Sequence, residues 1–309
     1  MNPTPSTKSC LTALFAGSLL LGACRSPTPP PTKATGPREI HTAAYDVIIP
    51  HDQKALLVLF PCFSCDAADT RSESPIADTA VANGINVLMM NFNRHILMSD
   101  AEQQEVLDVI AGAVKEHGID ATNTFIGGFS SGGNVSVLLA KELVRAPRPG
   151  IGLKGVFAVD SPLDLVHLHE ASKHRIERPS FPEHKDEARM VVALLDSALG
   201  DPVVSASTYE AAAPMINTRS SVASLKDLPL RFYTEPDTAW WRTNRGDTYE
   251  DLNAFALKRV HDTLVAVGNA RAEYITSKDR GIQHGNRHPH AWSIVEERDL
   301  VKWILDLSK

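Results

Sequence analysis

The chain has 309 residues, 43% hydrophobic and 22% charged, a balance that excludes collagenous, disordered and multi-span membrane proteins. Thirty-one Lys and Arg against 37 Asp and Glu leave a formal charge of −6, so no nucleic-acid partner is expected. Four cysteines are too few for a disulfide-dense scaffold, and the length is ample for one large domain or two small ones.

Residues 1–23 read as an address rather than as fold. Lys8 supplies positive charge, and the apolar stretch 11–21 is shorter than the roughly 20 residues a spanning helix needs. It ends Leu21-Gly22-Ala23-Cys24, which resembles the lipobox of bacterial lipoproteins. That resemblance implies a cleaved signal, a lipidated Cys24 and a place in the bacterial cell envelope, in the outer membrane or facing the periplasm. Pro27, Pro29, Pro30, Pro31 and Pro37, mixed with Ser, Thr and Gly, make residues 24–39 an extended tether. The expected membrane partner is reached through this anchor, because no later stretch is apolar enough to span a bilayer.

From residue 40 to 309 short apolar runs alternate with longer amphipathic ones. Strands are expected at 45–49, 55–60, 85–91, 124–127, 155–160, 230–234 and 272–276, several apolar on both parities as in a sheet covered on both faces. Cys62 and Cys65 follow the second strand. Export would place them in an oxidising compartment, where a local disulfide is expected; a redox-active pair is the alternative, but the flanks Pro61 and Phe63 lack the thioredoxin pattern. A helix opens at Asp100, with Gln103 as its capping-box partner, and closes at Gly118. Further helices are expected over 131–145, 248–267 and 293–307. Strand–helix alternation of this kind predicts an α/β fold, a mostly parallel sheet flanked by helices. The interlude 163–228 is too long for bare loop, so a helical lid insertion is expected there, helical over 188–199 and 211–216.

The sharpest motif is Gly128-Phe129-Ser130-Ser131-Gly132, between the strand at 124–127 and the helix from 131. A nucleophile on a tight strand-to-helix turn brings the residues two before and two after it together, and side chains there would collide. Ser130 has glycine at both places and Ser131 does not, so Ser130 is the candidate nucleophile. The free N–H groups of the following helix point at the site, which makes the Ser131 N–H an oxyanion donor.

With this motif the chain from about 40 to 309 resembles the α/β-hydrolase superfamily, its esterases and lipases in particular. The resemblance implies the order Ser, acid, His. It places the base after the last strand, where His290 in His290-Ala291-Trp292 is the candidate and His288 and His284 are alternatives. It places the acid after the strand at 230–234, on Asp237, with Glu235 as runner-up; relatives that take the acid from the preceding strand would use Asp160 or Asp164. It places a second oxyanion donor after the strand at 55–60, where this chain departs from the usual His-Gly and offers the N–H of Cys62 or Phe63.

The function implied is hydrolysis of a small-molecule carboxylic ester through an acyl-enzyme, without metal or organic cofactor. A peptidase or amidase, a non-catalytic envelope binding protein on the same fold, and a thiol oxidoreductase are the competing readings. His167, His169, Glu170, His174 and His184 are read as a solvated lid surface rather than a metal site, because no companion ligand motif accompanies them. Trp240, Trp241, Arg242 and Arg245 are read as pocket wall or packing, and Arg94 and His95 as surface with a place at the pocket rim as alternative.

Overall fold

The structure, a computed structural model, describes residues 36–178 and 182–309. The signal, Cys24 and most of the tether lie outside the described residues. The tether does not reach 39 as expected, because strand β1 (Arg38–His41) starts inside it and pairs antiparallel with β2 (Tyr45–Ile49). Its side chains are largely exposed and only Ile40 packs against the core, so backbone pairing is its main hold.

Eight strands form one sheet in the order β1-β2-β4-β3-β5-β6-β7-β8. The remaining members are β3 (Ala55–Phe60), β4 (Ile85–Met90), β5 (Thr124–Phe129), β6 (Leu153–Val159), β7 (Leu230–Thr234) and β8 (Ala272–Thr276). From β4 to β8 every pairing is parallel, and β1 and β2 close one edge antiparallel. β3 pairs with both β4 and β5, so the strand order reverses there and a crevice opens at the carboxyl ends of β3 and β5.

β3 (ALLVLF) is buried along its whole length. Leu57 and Leu59 pack on one face, against α2 (Ile76–Ala82) and α11 (Glu297–Leu307). Leu56, Val58 and Phe60 pack on the other, against α3 (Asp100–His117) and α4 (Ser131–Arg145). Period-2 alternation between two apolar faces is why the central strands read as unbroken hydrophobic runs. Each fully buried leucine contributes about 1.5–3 kcal/mol.

Several boundaries differ from expectation. α3 is capped by Ser99 with Glu102, one residue earlier than the Asp100–Gln103 pair, and ends on left-handed Gly118. α1 (Ala67–Glu73) and α2 were not expected; Pro75 divides them into two short pieces. α10 (Asn253–Ala266) starts five residues late because Tyr249–Asp251 forms a separate 3₁₀ turn. A 3₁₀ turn over Trp292–Ile294 likewise delays α11 to Glu297.

Between β6 and β7 the chain forms α5 (Leu165–Glu177), α6 (Pro182–Leu199), α7 (Ala206–Ala212) and α8 (Arg219–Val222). The histidines read as solvated lid surface, His167, His169, His174 and His184, lie on α5 and α6, and His169 is buried instead. α7 lies earlier than 211–216 because Pro214 disfavours helix in the residue before it. Leu165, Leu168, Val191, Leu195 and Tyr209 give these helices a buried cluster of their own. After β7 come α9 (Thr238–Arg245) and, beyond β8, a small hairpin of β9 (Ile282–Gln283) and β10 (Asn286–Arg287).

Candidate active site

Ser130 sits between β5 and α4 with φ 54° and ψ −124°, a left-handed conformation that a serine adopts only when its surroundings impose it. The flanking glycines are what make this possible. A Cβ on Gly128 would lie 2.2 Å from the Gly132 carbonyl, and one on Gly132 would lie 2.3 Å from the Phe60 carbonyl oxygen. The second contact presses the start of α4 onto the end of β3 and brings the Pro61-Cys62-Phe63 loop to the elbow. The Ser130 hydroxyl makes no hydrogen bond among the described residues and lines a cavity of about 190 Å³ that His290, Asp160, Ser131 and Phe63 also line.

His290 meets a carboxylate through its ring Nδ1, but not the expected one. Its Nδ1 lies 2.6 Å from Oδ2 of Asp160, the residue immediately after β6. Asp160 is buried and has φ 43°. Thr234 Oγ1 donates to its Oδ1 at 3.0 Å, Asn253 Nδ2 donates to its backbone oxygen at 2.8 Å, and its own N–H donates to Tyr233 O at 2.8 Å. These three bonds fix Asp160 and, through its carboxylate, the imidazole, whose Nε2 makes no hydrogen bond among the described residues. The His290 ring also packs on Phe129, the neighbour of Ser130, at 4.5 Å between centroids. Sequence reasoning had no signal for Thr234 and Asn253, which belong to no motif.

Asp237 and Glu235 are occupied elsewhere. Asp237 caps α9 by accepting from Trp240 N at 3.0 Å and accepts from Arg287 Nη2 at 2.9 Å. Glu235 is buried, pairs with Arg287, and accepts from Ser277 Oγ at 2.6 Å, Arg280 N at 3.0 Å and Gly281 N at 3.2 Å. A carboxylate with that many donors is an anchor for the loop that carries His290, not its partner. Asp164 caps α5 through His167 N and accepts from Asn217 N; burial raises its pKa.

The alternative histidines also have other roles. His284 is exposed and pairs with Glu73 at 2.7 Å. His288 lines the cavity, and its Nδ1 lies 3.0 Å from His290 O and 3.2 Å from His290 N. Burial, followed by the charges of His290 and Arg245, holds its pKa down to about 4, so its ring is neutral near pH 7.

Cys62 and Cys65 are joined by a disulfide, Cα to Cα 5.0 Å, in the loop beside the elbow. Phe63 faces the cavity, whereas Cys62 packs against the core. Ser131 occupies the first turn of α4, where an N–H has no acceptor within the helix. The lid histidines are dispersed, His167 on Glu250 O at 2.7 Å and His169 on Asp196 at 2.8 Å. Among the described residues no group of three His, Cys, Asp or Glu side chains is placed to hold a metal. Trp241 and Arg245 line the cavity, while His95 pairs with Glu102 at 3.4 Å.

No protein-family model matches the chain, and no curated protein matches it by sequence. Solved structures do. A carboxyl esterase 2 from the mycorrhizal fungus Tuber melanosporum matches 92% of this chain and 89% of its own, with 13% identity and a TM-score of 0.55. A hormone-sensitive lipase from a metagenome library covers 90% of this chain and 86% of its own at 12% identity and a TM-score of 0.56. An esterase of Pyrococcus furiosus covers 88% and 90% at 11% identity and a TM-score of 0.54. At these identities the likeness is one of fold: an eight-stranded, mostly parallel sheet flanked by helices, as in the α/β-hydrolase esterases.

Proposed function

We propose that this chain is a serine hydrolase that cleaves carboxylic esters. The observation that carries the reading is the juxtaposition in one cavity of a strained Ser130, whose hydroxyl makes no hydrogen bond among the described residues, with a His290 whose Nδ1 is engaged by buried Asp160. His290 Nε2 takes the proton from Ser130 Oγ as the oxygen attacks the ester carbonyl. The Ser131 N–H stabilises the oxyanion, with a second donor from Cys62 or Phe63 N–H. Collapse breaks the acyl–oxygen bond, and His290 returns the proton to the departing alcohol. Water, deprotonated by the same imidazole, then attacks the acyl-enzyme; the acyl–Oγ bond breaks, the imidazolium returns its proton to Ser130 Oγ, and the acid leaves.

The Asp160 carboxylate holds the tautomer that presents Nε2 and stabilises the imidazolium formed twice per cycle. The fold likeness to esterases and lipases supports the ester reading. Turnover of p-nitrophenyl butyrate is the direct assay. Ser130→Ala and His290→Ala are expected to lower kcat about a thousandfold or more. Unchanged turnover in either variant overturns the proposal, and amide cleavage at equal rate moves it to a peptidase.

The same reading includes export and anchoring through Cys24. The leader and lipobox-like segment support it, as does a disulfide, which suits an oxidising compartment. Among the described residues no helix is long and apolar enough to cross a membrane. Cys24→Ser should move the protein from the membrane fraction to the soluble one; unaltered membrane association counts against a lipid anchor.

A further inference from the structure

The cavity differs in chemistry from one end to the other. α5 and α6 run antiparallel above it. His169 at the start of α5 meets Asp196 near the end of α6 at 2.8 Å, and Lys185 at the start of α6 donates to Ile176 O near the end of α5 at 2.9 Å. The α5 residues that face the cavity change from Leu168 through Ser172 to Arg175. Those of α6 change in the reverse sense, from Glu187 to Val191. Because the helices are antiparallel, the apolar members coincide at one end and the polar members at the other.

At the apolar end Ile96, Leu168 and Val191 belong to one buried cluster, with Phe63 packed against it. At the polar end both guanidinium groups are matched by carboxylates. Arg175 Nε donates to the two oxygens of Asp247 at 3.0 and 3.2 Å, and Arg245 pairs with Glu187 at 3.0 Å. The polar end is therefore rich in hydrogen-bonding groups but close to charge-neutral.

His288 joins this end to the catalytic base. Its Nδ1 contacts the His290 backbone, and its ring lies edge-on to Trp241 at 5.8 Å, on the helix that carries Arg245. Its Nε2 makes no hydrogen bond among the described residues. The depressed pKa keeps the ring neutral, so it does not oppose the imidazolium that forms on His290. The leaving alcohol receives its proton from His290, so the alcohol portion of an ester belongs on the His288 side and the acyl portion among Ile96, Leu168 and Val191. The size limits the acyl group: an apolar cavity of about 150 Å³ holds one benzene, and the whole cavity here is about 190 Å³.

We infer that the site selects esters of a short apolar acid with an uncharged, hydroxyl-bearing alcohol, and that His288 Nε2 reads the alcohol's hydroxyls as a specificity-determining group. This inference rests on the ester-hydrolase reading above. It is tested with glycerol 1-monobutyrate and propyl butyrate, which share the acyl group and the three-carbon alcohol and differ by two hydroxyls. The wild type is expected to favour the glycerol ester by about tenfold in kcat/KM. His288→Phe should bring that ratio near one, and His288→Gln, whose amide can reach the Nε2 position, should keep most of it.

A wild-type ratio of one or below overturns the inference without any variant, and so does a ratio that His288→Phe leaves unchanged. If Ser130 reacts with a fluorophosphonate and propyl butyrate is cleaved as fast as the glycerol ester, only the selectivity falls. If Ser130 does not react and neither ester is cleaved, the hydrolase reading falls and takes the selectivity with it.

Discussion

At the scale of single residues, the site is built from two left-handed backbone positions, Ser130 and Asp160, at the ends of adjacent parallel strands β5 and β6. Such conformations cost about 1–3 kcal/mol each and persist where neighbours over-determine them. The Ser130 N–H bonds to Val159 O, and the Asp160 N–H bonds to Tyr233 O, so each strand end holds the next. Asp160→Asn keeps the side chain's shape but removes the charge that orients His290, and kcat should fall by about 10³–10⁴-fold. Asp237→Ala should leave kcat within a few-fold while lowering stability by about 1 kcal/mol through the lost helix cap. Steady-state kinetics and urea denaturation of the two variants check this, and the opposite ranking would restore Asp237 as the acid.

The tight turn at Ser130, the proposed nucleophile, was legible in the sequence because it is a steric requirement on glycine, expressed within five consecutive residues. The carboxylate that meets His290 was not, because aspartates follow both β6 and β7. Arg287, fifty residues downstream of Asp237, takes the later carboxylate, and Thr234 secures the earlier one; both are long-range contacts with no local signature.

At the scale of elements, the loop that carries His290 is held from one buried side chain. Glu235 accepts from Ser277 and from the backbone of Arg280 and Gly281, and pairs with Arg287 on β10. Its anchoring spans the stretch that leads to His288 and His290. Glu235→Ala would strand two amides and loosen Arg287, so stability should fall by about 3 kcal/mol, with kcat reduced through misplacement of His290. Urea midpoints and initial rates on the same preparation check both parts; a variant of wild-type stability contradicts the anchoring. The β9–β10 hairpin was invisible in the sequence for a related reason. Its strands have two residues each and little apolar content, so tertiary contacts define them. The long central strands and α4 carry their own periodicity and were readable.

At the scale of the whole molecule, the sheet order places the elbow at the end of β5, beside β3, whose two edges pair with β4 and β5 where the strand order reverses, and residues of α5 and α6 line the cavity there. Apolar cover on both faces makes the central strands rigid, which allows two strained residues to be held in register. The lid supplies most of the cavity's two-ended chemistry, so the scaffold and the proposed selectivity come from different parts of the chain. The sharpest test of the account is intact-mass and peptide mapping after exposure to a fluorophosphonate. The account predicts one adduct per chain, on Ser130, formed much more slowly in His290→Ala and Asp160→Asn and absent in Ser130→Ala. An adduct on another residue, or a Ser130 that stays unmodified in the folded wild type, would contradict it.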